Sequence, residues 1–177
     1  MSEEADALDG FEGTKVRGVM ANRGSVVLNW SRPIGKCKGA HDDSVSVETM
    51  IVMIGKRDEP IMSYGVKMTR ADTDSVEAAS LYLDFDELPE FMDALRYIIN
   101  TASQLRAQAR DYTEVTYVTK DGAEFGFYQT TAGKQQAYSV SSAVNGSTFF
   151  QVNTLNSLQE LFASAEAHLM SRCAKYE

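Results

Sequence analysis

Two stretches decide the fold: Leu83-Asp-Phe-Asp-Glu-Leu-Pro-Glu-Phe-Met-Asp-Ala-Leu95 and Phe150-Gln-Val-Asn-Thr-Leu-Asn-Ser-Leu-Gln-Glu-Leu-Phe162. Phe85, Leu88, Phe91, Ala94 and Leu95 of the first recur at a constant offset of 67 residues as Val152, Leu155, Leu158, Leu161 and Phe162 of the second. Each stretch reads as an aromatic strand end that turns directly into an amphipathic helix, with the apolar side chains on one helical stripe. A unit of this kind cannot bury its own sheet and helix alone, so duplication implies two similar units packed together. The expected fold is therefore α+β: two pseudo-repeated antiparallel four-stranded sheets, each followed by one amphipathic helix.

Outward from the first helix, the pattern predicts strands at Val45 to Ile54 and at Met62 to Met68. The run Thr49-Met-Ile-Val-Met-Ile54 is apolar on both faces, as a central strand covered on both sides requires. Met62, Tyr64, Val66 and Met68 alternate with Ser63, Gly65 and Lys67 in a one-sided strand pattern. A polar loop from Arg70 to Glu77 leads to a strand from Ala79 to Phe85, and Asp86 is the expected N-cap of the helix, with Pro89 in its first turn. Before these elements, Ser25 to Trp30 reads as a strand with Val26, Leu28 and Trp30 on one face, which places Trp30 in the core. Thr14 to Met20 is expected to be a short edge strand, and Ser31 to Asp43, with Pro33, Gly35 and Gly39, an exposed loop.

The second half has tighter turns. Asp121-Gly122, Ala132-Gly133 and Asn145-Gly146 separate strands at Thr113 to Thr119, Glu124 to Gln129, Gln136 to Ser142 and Thr148 to Val152, and a helix runs from about Thr154 to Met170. Alternation predicts Val115, Tyr117, Phe125, Phe127, Tyr138, Val140, Phe150 and Val152 facing the helix. Thr116, Tyr128, Ser139, Phe149 and Gln151 then face away. The domain reading is an acidic disordered tail at 1–13, a first strand-rich repeat with its helix at 14–109 and a second at 110–177, forming one intimately packed unit.

The chain has 177 residues, a net charge of −8 and two cysteines. It lacks an apolar run long enough to span a bilayer, its start is acidic where a signal peptide is basic, and two distant cysteines make no disulfide framework, so a cytoplasmic protein is expected. The negative charge argues against general attraction to polyanions or membranes. Yet no acidic residue occurs from Thr14 to His41, a segment carrying Lys15, Arg17, Arg23, Arg32, Lys36 and Lys38.

Catalytic machinery is hard to assemble from these residues. His41 and His168 lie in no nucleophile or metal motif, and no phosphate-cradling glycine loop is present. His168 falls near the end of the second helix, where a cation suits the helix dipole. Cys37 and His41 supply at most part of a zinc set, and Asp72, Asp74 and Glu77 lack the spacing of a calcium loop. Neither catalytic residues, nor a metal, nor a cofactor are expected. Candidate binding residues are Arg23, Trp30, Arg32, Lys36 and Lys38, where cations and an aromatic ring combine as in single-strand binding, together with Tyr128 and Phe149 as aromatics on the outer side of the second sheet.

The order of elements over about residues 25 to 171, two four-stranded sheets each followed by a helix, resembles that of Whirly proteins and of PUR-repeat proteins. The resemblance lies in layout and carries no individual residue across. It implies single-stranded nucleic acid as a partner. The residues themselves point to a non-enzymatic binding or assembly protein that works through its sheet surfaces, with a protein partner or a second copy as occupant. Single-stranded nucleic acid is the alternative, and an enzyme acting on a small ligand between the halves a third.

Overall fold

The computed structural model describes residues 13–40, 44–55, 60–71, 80–106, 111–141 and 146–173. The acidic tail, save Gly13, and the Asp72–Asp74 loop lie outside these residues. Strands β1 (Val26–Lys38), β2 (Ser44–Gly55), β3 (Ile61–Ala71) and β4 (Ser80–Asp84) form one antiparallel sheet in sequential order. A single 3-10 turn, Phe85–Glu87, leads into α2 (Leu88–Leu105), which follows a preceding short helix α1 (Lys15–Met20). Strands β5 (Thr113–Val118), β6 (Glu124–Gln129), β7 (Gln135–Ser141) and β8 (Gly146–Phe150) repeat the meander, and α3 (Thr154–Cys173) follows. The α+β architecture of two four-stranded sheets with trailing helices is present as the duplicated junction predicts.

The two helices bury the duplicated stripe. Leu88, Phe91, Leu95, Ile98 and Ala102 of α2, and Leu155, Leu158, Phe162, Ala165 and Leu169 of α3, are all buried, so the 67-residue offset continues for two further turns. Each helix lies on the other half's sheet: α2 packs against β5 and β6, while α3 crosses β1, β2 and β3. Each half thus completes the other, and the apolar residues of both sheets and both helices merge into one large cluster. Phe91 sits at its centre, edge-on to Tyr117, Phe125 and Phe162 at centroid distances of 5.9, 4.9 and 4.7 Å, the geometry that aromatic quadrupoles favour.

A second, smaller core lies on the opposite side of the first sheet, where Val16 and Val19 of α1 cover Met50, Val52, Ile54 and Ile61. That explains the two-sided hydrophobicity of β2. It also corrects the expected edge strand at Thr14 to Met20. Val16 and Val19 are one helical turn apart, Thr14 caps the helix by accepting from the Arg17 N–H, and Asp84 accepts the Lys15 and Val16 N–H groups at 2.8 and 3.1 Å. Backbone donors met from a distant strand stabilise a helix too short to persist alone.

The expected loop at Ser31 to Asp43 is a second correction, because β1 continues to Lys38 with a register shift between Pro33 and Gly35. β1 is an edge strand, where proline's missing N–H and a bulge are both tolerated. Gly35 lies where α3 comes close, since a Cβ there would sit 2.6 Å from Leu161 Cδ2.

Candidate binding surfaces

Pairing places Val26, Leu28, Trp30 and Arg32 opposite Gly55, Met53, Ile51 and Thr49, on the side of the first sheet that α3 crosses. The helix layer covers the Cys37 end of β1 and stops short of the other. Trp30 is 46 % exposed, Leu28 42 % and Val26 70 %. The placement of Trp30 in the core is therefore corrected: the face is right, but the described residues cover only about half of the side chain. Among the described residues no strand is paired along the outer edge of β1. An apolar strip with an indole, an adjacent guanidinium and an open strand edge thus stands at one end of the molecule.

The other cations are divided. Lys36 and Lys38 pair with Ser46 and Ser44, on the side opposite Arg32, and Arg23 is exposed in the turn before β1. Lys15 and Arg17 are engaged elsewhere, Lys15 with Asp86 at 3.0 Å and Arg17 with the buried Asp121 at 2.7 Å. The basic segment therefore makes no single patch: Arg32 lies on one face of β1, Lys36 and Lys38 on the other, Arg23 in the turn before it, and Lys15 and Arg17 on α1.

Asp84 and Asp86 do not cap their own helix. Asp84 holds the start of α1, and Asp86 bridges Lys15 and Lys120 at 3.0 and 3.4 Å. Glu87 accepts the Lys120 N–H at 2.7 Å through Oε1, while its buried Oε2 meets no hydrogen-bond partner among the described residues. Burial pushes the Asp84 and Glu87 carboxyls above their ordinary values, the donated N–H groups offsetting this only in part. Asp86 is also pushed up by partial burial, but Lys15 and Lys120 more than offset it and hold it low. These carboxylates fasten α1 and the β5–β6 turn to the junction of β4 and α2. A cavity of about 170 Å³ beside them is lined by Lys15, Asp84, Asp86, Tyr64, Met62 and Ser63.

On the second sheet, β7 is turned over relative to expectation. Ala137 and Ser139 face the core, while Tyr138 and Val140 lie on the outer side with Thr116, Tyr128 and Phe149. Glycine decides this: a Cβ at Gly126 would meet the Val115 carbonyl oxygen and lie 3.0 Å from the Tyr138 ring, so only glycine admits the phenol across the strand. Small Ala137 then fits between Phe127 and Phe150 on the inner side. Tyr138 is 6 % exposed, and its hydroxyl lies 2.7 Å from Glu114 Oε1 and 2.6 Å from Thr116 Oγ1. Its phenol is pushed up to about 12 by burial and then by Glu114. The rings of Tyr112, Tyr128 and Tyr138 step across the face at 6.1 and 6.3 Å. The sequence candidate Tyr128 belongs to this ladder, and Phe149 is across from Tyr138. Tyr112, Glu114 and Tyr138 were missed, Tyr138 because alternation alone cannot locate the face that glycine opens.

At the far end of that sheet, Arg106, Gln135, Gln136, Gln151 and Asn153 line a polar cavity of about 600 Å³. Among the described residues no group of three or more His, Cys, Asp or Glu is arranged to hold a metal ion, and no helix is long and apolar enough to cross a membrane. The chain matches no known family model, and no characterised protein matches it in sequence.

Proposed function

We propose that the chain is a non-enzymatic binding protein whose working surface is the uncovered face and open edge of β1. The exposure of Trp30, in line with Leu28 and Val26, carries this reading, because these three form a contiguous exposed apolar strip on the same sheet face that elsewhere carries the core. Contiguous exposed apolar side chains on a sheet mark interaction sites. A cytoplasmic setting is part of the same reading, and so is the absence of a cofactor.

A second observation favours single-stranded nucleic acid as the occupant over a protein partner or second copy. Arg32 shares the face of Trp30, Arg23 lies just before the strand, and β1 carries no carboxylate. A base stacked on the indole and phosphates near the guanidinium groups suit that arrangement. Trp30 is the chain's one tryptophan and therefore reports directly. Titrating the protein with a single-stranded oligonucleotide at several salt concentrations should quench its fluorescence, with affinity falling steeply as salt rises. Trp30→Ala should abolish the binding of a labelled oligonucleotide without lowering the melting temperature. No binding at low salt removes the nucleic-acid reading. If Trp30→Ala also leaves concentration-dependent sedimentation unchanged, β1 is no working surface.

A further inference from the structure

The two sheets differ in how their outer sides are finished. On the first, α1 supplies a cover in which Arg17 lies 5.9 Å over the Tyr82 ring while its Nη1 donates to Asp121 Oδ1 at 2.7 Å. Among the described strand residues, the outer side of the second sheet carries the same aromatic and acidic chemistry with no arginine on it. Among the described residues no helix is packed across its outer side, and none of the strand residues that pairing places there is a lysine or arginine. Glu114 and Glu124 are exposed on it, beside Tyr112, which is 57 % exposed, and the half-buried Tyr128.

Glu114 is held as exposed carboxylates seldom are. Its Oε2 accepts from the Tyr112 hydroxyl at 3.1 Å and its Oε1 from the Tyr138 hydroxyl at 2.7 Å. A carboxylate has about four lone-pair directions, so both oxygens keep one for a further donor. A guanidinium fork meets two parallel carboxylate oxygens and lies flat on an aromatic ring, whereas an ammonium does neither. We propose that the outer side of the second sheet is a docking surface for an arginine-bearing peptide segment of a partner protein, with one guanidinium on Glu114 and over the rings of Tyr112 and Tyr128. Charge complementarity selects this occupant: the face is aromatic and anionic, and Arg17 on Tyr82 and Asp121 shows within the same molecule how such a face is completed.

The surface is separate from β1, so the two readings fail independently. The test is fluorescence polarisation of a labelled peptide of alternating glycine and arginine against the full chain, with the lysine version of the same peptide as comparison. The arginine peptide should bind about tenfold more tightly than the lysine peptide, the difference a second hydrogen bond and ring stacking provide. Glu114→Gln should weaken it about tenfold and Tyr112→Ala several-fold, both with unchanged melting. Glu160→Gln, which removes the same charge from an exposed position of α3, should have no effect, and Trp30→Ala should leave peptide binding intact. Equal losses for Glu114→Gln and Glu160→Gln, or equal affinity for both peptides, would reduce the surface to general attraction by a chain of net charge −8 and overturn the proposal. Self-association of the protein alone that disappears in Glu114→Gln would assign the face to a second copy, which also overturns it.

Discussion

The ring of Phe91 meets that of Phe162 edge-on with centroids 4.7 Å apart, joining the two trailing helices at the centre of the core. Both side chains are fully buried. Truncating either to alanine should cost about 3 to 5 kcal/mol, the lost transfer energy joined by a cavity term. Because the rings touch, the double variant should lose less than the sum of the two single losses. Urea unfolding of the four proteins in the cycle measures this, and strict additivity would deny the contact its part in stability.

Glycines at two packing points should respond differently to a methyl group. At Gly35 the new Cβ meets the far end of Leu161, which can turn aside, so Gly35→Ala should cost about 1 kcal/mol and less in a Leu161→Ala background. At Gly65 it meets the Leu83 main-chain oxygen and lies 2.7 Å from Val16 Cγ2. Gly65→Ala should therefore cost about 3 kcal/mol, because backbone must move. Thermal melts that rank the two in the opposite order would contradict the packing of α1 and α3.

Asp84→Ala should release α1. Two charge-assisted bonds to backbone N–H groups are lost, and the helix has only one turn of its own hydrogen bonds. A cost of about 2 kcal/mol is expected, together with faster hydrogen exchange at Val16 and Val19 and binding of an apolar dye to Val52 and Ile54. Unchanged exchange at those amides would show that apolar packing alone holds α1.

Stability should rise on mild acidification. Burial lifts the folded Glu87 carboxyl above its ordinary 4.5, so the folded protein holds that proton more tightly than the unfolded chain. Stability is then gained as the pH falls through the folded value, is complete below 4.5, and is lost again as the pH rises. Asp84 acts in the same direction relative to 3.8. Asp86 is held below 3.8, and its contribution is lost only as the pH falls beneath that value. Urea midpoints measured from pH 7 to pH 4.5 should climb in the natural protein, and Glu87→Gln should start higher and flatten the profile. A Glu87→Gln variant less stable at pH 7 with an unchanged slope would show that the carboxylate is not the group responsible.

What the sequence by itself determined is the repeated junction and all that follows from local spacing. Leu88, Phe91 and Leu95 and their counterparts Leu155, Leu158 and Phe162 announce their burial because a helix stripe is written within three turns of chain, and Asp121-Gly122 and Ala132-Gly133 mark turns through the positive φ angles of Gly122 and Gly133. The tertiary structure alone decided which strand faces are covered, since the covering atoms come from distant segments. Trp30 is in phase with Val26 and Leu28 whether or not α3 reaches over it. Tyr138 turns outward because Gly126, on the neighbouring strand, makes room for its ring, and Thr14 to Met20 is helical because Asp84 meets its first N–H groups. Alternation specifies that two faces exist; desolvation by a partner layer chooses between them, and that layer is assembled only when each helix crosses to the other half's sheet.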